Sequence, residues 1–227
     1  VNLSLVIDRV EHHTASVLLL EKNMKYTFEL IENKRVYNGF LKINRYRLRH
    51  DLYQGGRCEE IVRERMEELQ ASSVLLYDPA LDRVVLIEQF RIGALDQPGS
   101  PWVVETVGGY VGKGESPEEV ARREAVEEAD CVIQSLEKIC TLMVSPGISV
   151  DRIHLFCGQV DASRAGGVHG LDHEGEDIRV LVMDADQAIG ELYGGRMNST
   201  SVIIALQWLA LQRDALRQRW SSSTARD

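Results

Sequence analysis

The stretch from Gly108 to Cys131, GGYVGKGESPEEVARREAVEEADC, constrains this chain more than any other. It joins a glycine-rich loop to a short segment loaded with acids. Glu124, Glu127 and Glu128 stand three and four residues apart, so a helix would carry all three on one face. Like charges at that spacing repel, and a helix gains nothing from them by itself. A hard divalent cation removes the penalty, because such ions take several oxygen ligands. The plainer alternative is a solvated acidic helix face, as most charge runs are.

The start of that helix is well marked. Ser116 is placed to be the N-cap, Pro117 the first helical residue, and Glu119 the partner that closes a capping box. Ala121, Ala125 and Ala129 form a stripe of small residues that would let the helix approach a sheet closely while the acids face a cleft.

These residues resemble the Nudix box. Its pattern is G, five residues, E, seven residues, R-E-U, any residue, E-E, any residue, G-U, with U a bulky aliphatic. Gly109, Glu115, Arg123, Glu124, Glu127 and Glu128 match it. Ala125 and Cys131 stand at aliphatic positions, and Asp130 replaces the final glycine. A helix exit through positive φ there asks of Asp what Gly does more easily, although Asp tolerates it better than most residues.

Length and charge set the frame around the motif. A chain of 227 residues holds one large or two small domains. A net charge of -9 argues against nucleic acid or an anionic membrane as the main partner. Cys58, Cys131, Cys140 and Cys157 form no CxxC pair and no zinc spacing, which fits free thiols in a cytoplasmic protein. No apolar run reaches membrane length. The chain begins at Val1 without Met, so a short leader is expected to precede it.

Residues 1–57 read as strands: VNLSLVI, ASVLLL, KYTFELI and the alternating FLKINRYRLRH, with Asn38-Gly39 as a turn. Segment 59–68 is ambiguous between helix and strand, and strand is preferred. SVLLYD and RVVLIEQF predict a hairpin around Pro79 to Arg83, and Trp102 to Val107 a strand feeding the glycine loop. ICTLMV, RIHLFCGQV and DIRVLVMD are further strands. A short helix is expected over Asp186 to Tyr193. An amphipathic one follows, capped by Ser199 and running to about Gln218, before a disordered tail over 219–227.

This order fits an α+β fold with a mixed sheet between helices. The resemblance implies the Nudix α/β/α sandwich over 58–218, with residues 1–57 as a small N-terminal antiparallel β domain. That added domain resembles the one in the ADP-ribose pyrophosphatase branch, which implies a homodimer, with exchange of the domain between subunits as one arrangement. The branch is further suggested by Ser145-Pro146-Gly147, fifteen residues beyond the box, by WVVETVGG before it, and by GLDHEGEDIRV at 170–180. An ordinary turn would also explain Pro146.

The activity so implied is hydrolysis of the diphosphate bond of ADP-ribose to AMP and ribose 5-phosphate, with Mg2+ as cofactor, Mn2+ as a substitute, and two or three ions per site. Other nucleoside diphosphate sugars, GDP-mannose or UDP-glucose, are the alternative substrates, and a non-hydrolysing ADP-ribose sensor the alternative class. Glu124 and Glu128 are the first metal ligands, with Glu127 in support. The resemblance adds the main-chain carbonyl of Gly108. Glu115 and Arg123 are expected to pair and hold the helix. By resemblance to a mobile acidic loop, Glu174 is the first candidate for general base and Glu176 a further ligand or substitute base. His169 and His173 are alternatives, and a merely solvated loop is another. Arg91 and Arg63 are candidates for phosphate contact, since guanidinium matches phosphate oxygens; surface ion pairs would also account for them. Phe40 is a candidate to stack on adenine or to pack in a core. Glu105 is a substrate acceptor or a partner for Arg91.

Overall fold

The computed structural model describes residues 26–67 and 70–223, with side chains to 220. The proposed strands within 1–25 lie outside the described residues. Two compact units divide at Glu67 and Glu68.

The first unit is a three-stranded antiparallel sheet, β1 (Phe28–Asn38), β2 (Lys42–His50) and β3 (Ile61–Glu67), paired in that order. The Asn38-Gly39 turn connects β1 to β2, whose end residues Asn38 and Lys42 are paired. β3 carries the sheet ten residues past the boundary expected at 57, because Ile61 to Glu67 pair with Leu48 to Lys42. Cross-strand charge pairs run along it: Arg45 with Glu64, and Arg47 with Glu60. Tyr46 is the buried apolar residue among those described in this unit, with Arg65 over its ring. Phe28, Leu30, Tyr37, Phe40 and Val62 are exposed.

The second unit is built on an eight-stranded mixed sheet. Its strands are β4 (Gln70–Asp78), β5 (Arg83–Phe90), β6 (Trp102–Glu105), β7 (Val107–Tyr110), β8 (Ser135–Met143), β9 (Arg152–Gln159), β10 (Val168–His169) and β11 (Ile178–Asp184). The order is β10-β11-β5-β4-β9-β8, with β6 on β5 and β7 on β4. β4 is central, and Val74 to Tyr77 are fully buried, as a strand covered on both faces requires. It runs parallel to β9 and antiparallel to β5 and β7.

Among the described residues three α-helices cover the sheet: α1 (Pro117–Ala129), α2 (Ala185–Gly190) and α3 (Thr200–Ser223). α1 lays Ala121, Ala125 and Ala129 against Val74, Leu76, Val85 and Ile87. α2 and α3 cover the other face, where Leu206, Leu209 and Leu216 meet Leu75, Tyr77 and Leu86. The fold is therefore the α+β sandwich expected, with the β-rich N-terminal unit separate.

Two details depart from the sequence reading. α3 continues to Ser223 rather than ending near Gln218, because Trp220 is buried beside Tyr77 and Arg219 pairs with Glu137. Residues 224–227 lie outside the described residues. Ser199 does precede α3, and its carbonyl accepts from Ile203 N, but its hydroxyl is buried without a partner.

The expected strand from Trp102 to Val107 is broken at Thr106, and the break positions the site. β4 pairs with β7 through Ala71 to Val74 and with β5 only from Leu76 to Asp78. β5 in turn pairs with β6 from Ile87 to Phe90. The central strands thus fork around Thr106, whose hydroxyl meets that of Ser73 at 2.6 Å.

Candidate active site

α1 begins with the capping box. Ser116 Oγ accepts from Glu119 N at 3.2 Å, and Glu119 Oε2 accepts from Ser116 N at 2.8 Å. It ends through Asp130 at φ 49 and ψ 37, the left-handed geometry that glycine would otherwise supply. Cys131 N donates back to Ala125 O at 2.9 Å, closing the exit.

Between these ends the acids turn toward β7. Gly108 N donates to Glu128 Oε2 at 2.9 Å. A Cβ on Gly109 would lie 1.7 Å from Glu124 Oε1, so the strand needs glycine where the helix carboxylate meets it. Glu128 is 2% exposed and Glu124 is 9% exposed. Burial pushes the Glu128 carboxyl up to about 8; the Gly108 N–H opposes this, while Glu124 and Glu176 add to it. Burial also raises Glu124, against the pull of Arg123, with Glu127 and Glu176 raising it further.

Arg123 binds the remaining acids. Its guanidinium lies 2.7 Å from Glu127 Oε2, 2.9 Å from Glu124 Oε1 and 3.3 Å from Glu115 Oε1. Glu115 also accepts from Gly112 N at 3.0 Å, fixing the glycine loop to the helix. The pairing of Glu115 with Arg123 read from the sequence is thus present.

Glu176 approaches from the loop before β11. Its Oε2 accepts from Leu171 N at 3.0 Å, and Gly170 N in the same loop donates to Glu127 O at 3.3 Å. Glu174 lies in a single 3-10 turn, Asp172–Glu174, with an exposed side chain 3.7 Å from His173. His169 is bonded to Gly166 O. Arg91, just beyond the end of β5, pairs at 2.7 Å with Glu105, the last residue of β6 before the fork. Arg91 is also close enough to lower the Glu128 carboxyl electrostatically. Ser145 and Pro146 lie in the turn after β8, where Ser145 O accepts from Ile148 N and Ser149 N. Phe40 and Arg63 belong to the N-terminal sheet: Phe40 is 82% exposed beyond β1, and Arg63 donates to Val62 O.

The donor set suits a hard divalent cation. Two buried carboxylates, with a third acting on both, are mutually unfavourable until a cation joins them. Among the described residues no three His, Cys, Asp or Glu side chains converge closely enough to hold a metal ion as they stand. The reason is local: Glu124 faces Arg123, and Glu128 faces the Gly108 N–H. Sequence reasoning missed the Ser73–Thr106 contact and the role of β7 as a separate strand. The glycines at 108 and 109 were the available signal.

Comparisons with known proteins place the chain in a family. ADP-ribose pyrophosphatase of Escherichia coli strain K12 is 41% identical over 209 residues, covering 90% of this chain and all of the relative. GDP-mannose pyrophosphatase of Cronobacter sakazakii is 34% identical over 196 residues, covering 83% and 98%. A crystal structure of an ADP compounds hydrolase superposes with a TM-score of 0.63 at 18% identity, covering 82% of this chain and 96% of that one, and supports the fold alone. The NUDIX domain model matches residues 67–203, and this chain belongs to the Nudix family.

Proposed function

We propose that this protein is a Mg2+-dependent ADP-ribose diphosphatase, releasing AMP and ribose 5-phosphate. The observation that carries the reading is the pair of buried carboxylates, Glu124 and Glu128, set against the glycine strand. The choice of ADP-ribose rests on the 41% identity to a pyrophosphatase of that name.

Glu124, Glu128 and the carbonyl of Gly108 would hold Mg2+, with Glu176 as a further ligand and Mn2+ as a substitute. When bound, such ions neutralise charge on the diphosphate and lower the pKa of water. Glu174 is the base that takes the proton from the attacking water; its exposure on the loop leaves it free to turn inward. Glu127 and Glu115 hold Arg123, and through it the helix. Arg91 orients a phosphate, with Glu105 fixing its guanidinium or accepting from the substrate. Ser145 and Pro146 shape the substrate end of the cleft. In the same reading the exposed apolar side chains of the N-terminal sheet pack against a second copy, making a homodimer to which Phe40 and Arg63 contribute substrate contacts. Among the described residues no helix is long and apolar enough to cross a membrane. Four free cysteines fit a cytoplasmic setting.

The test is product analysis with ADP-ribose and Mg2+, an EDTA control, and GDP-mannose and UDP-glucose in competition. AMP and ribose 5-phosphate formed only with metal support the reading. Faster cleavage of GDP-mannose overturns the substrate and keeps the chemistry. Binding of ADP-ribose without turnover overturns the chemistry.

A further inference from the structure

We propose that the α1-side face of β8 and β9 carries a second anion site, formed by Lys138, Thr141, Arg152 and His154, that takes a phosphoryl dianion. The site stands independently of the reading of the active site.

The strand register brings the four residues together. Thr141 is paired with His154, and Lys138 with Phe156, whose side chain packs in the α1-side cluster. Arg152 precedes His154 by two residues on β9, so the two share a face. His154 Nδ1 lies 3.3 Å from Thr141 Oγ1. Across the sheet the row continues from His154 to Ser72 and then to Gly109, so the cluster is separated from the glutamates by β4 and β7.

The charges there are not neutralised. Among the described residues, neither Lys138 nor Arg152 makes an ion pair or a side-chain hydrogen bond. Both act on His154, whose pKa is lowered first by burial, then by Lys138 and Arg152; Glu118 of α1 opposes them. The neighbouring charges are otherwise engaged: Arg122 donates to Ile133 O at 2.7 Å, and Glu137 pairs with Arg219. The charges that act on His154 are thus two cations against one acid, Glu118, in a chain of net charge -9. Like charges on neighbouring strands destabilise a sheet. An anion with several acceptor oxygens reverses the sign, because ammonium, guanidinium, imidazole and hydroxyl can all donate to it. A tetrahedral phosphoryl group supplies those oxygens and the charge.

The experiment is an NMR titration of the His154 ring in the full chain, free of divalent cations. Inorganic phosphate, glycerol 2-phosphate and sodium chloride at matched ionic strength are added in turn. Saturable shifts of His154 with phosphate or the ester, and a rise of its pKa on saturation, are expected. Response to both assigns the phosphoryl group itself; response to the ester alone assigns an organic phosphate. Lys138→Ala with Arg152→Ala should weaken binding by about ten-fold or more, roughly 1.4 kcal/mol, and Lys138→Gln less. Arg91→Ala should leave it unchanged. An equal response to chloride, or undiminished binding in the double variant, overturns the proposal. Both substituted side chains are exposed, so the variants are expected to fold.

Discussion

The backbone N–H of Gly108 donates to Glu128 Oε2 at 2.9 Å, tying β7 to the last turn of α1. Glutamine at 128 keeps an acceptor for that bond and removes the charge. Glu128→Gln should lower turnover of ADP-ribose by more than about 100-fold, since groups merely behind a metal ligand are already worth ~10–100-fold. The melting temperature without metal should not fall, because burial already disfavours the charged form of this carboxyl and the amide never carries that charge. Steady-state kinetics and calorimetry check both halves.

Gly109→Ala tests the same contact from the strand. Its methyl would stand 1.7 Å from Glu124 Oε1, so the carboxylate must move. A displacement of that order costs about 10²-fold in activity. Gly190 in α2 has open space where a methyl would stand, with nothing within 4 Å, and Gly190→Ala should leave activity intact while stabilising the helix by up to ~1 kcal/mol.

Glu174→Gln separates base from ligand. If Glu174 takes the proton, kcat should fall by about 10²–10⁴ with Mg2+ affinity unchanged. Glu176→Gln should weaken Mg2+ affinity instead. Metal titration monitored by activity distinguishes the two variants.

Acid should weaken the N-terminal sheet. Hydrogen bonds from Thr27, backbone then side chain, hold the Asp51 carboxyl below its usual range, and Arg47 does the same for Glu60. Both folded values lie below the unfolded ones. Their stabilisation is therefore complete above the ordinary carboxylate range of about 4, and is lost as pH falls through the depressed values. Asp51→Asn should flatten that dependence, read by carbon NMR of the carboxylates and by acid unfolding.

Trp220→Ala should destabilise the second unit by ~3–5 kcal/mol, the usual cost of deleting a buried aromatic. Trp220 is 4% exposed and packs beside Tyr77. Urea unfolding is the measurement, and a change near zero would mean the last turns of α3 hold nothing.

The acidic helix was legible because each of its features is local. Ser116, Pro117 and Glu119 announce the start and the alanine stripe the buried face; the left-handed exit is present although Asp130 stands where the motif has glycine. The fork at Thr106 was not legible, because it depends on which strands β4 meets along its length, a non-local choice. Likewise Trp220 reads as tail until Tyr77 is known to lie beneath it. The cluster around His154 draws on residues from two strands and carries no motif at all.

Arg123 touches three carboxylates of the helix and its approach at once. It serves as a resident counter-ion, so the acidic helix needs no other cation in order to fold. Under the proposed function, Glu124 would exchange this guanidinium for a divalent cation, while Glu115 and Glu127 would keep hold of the arginine.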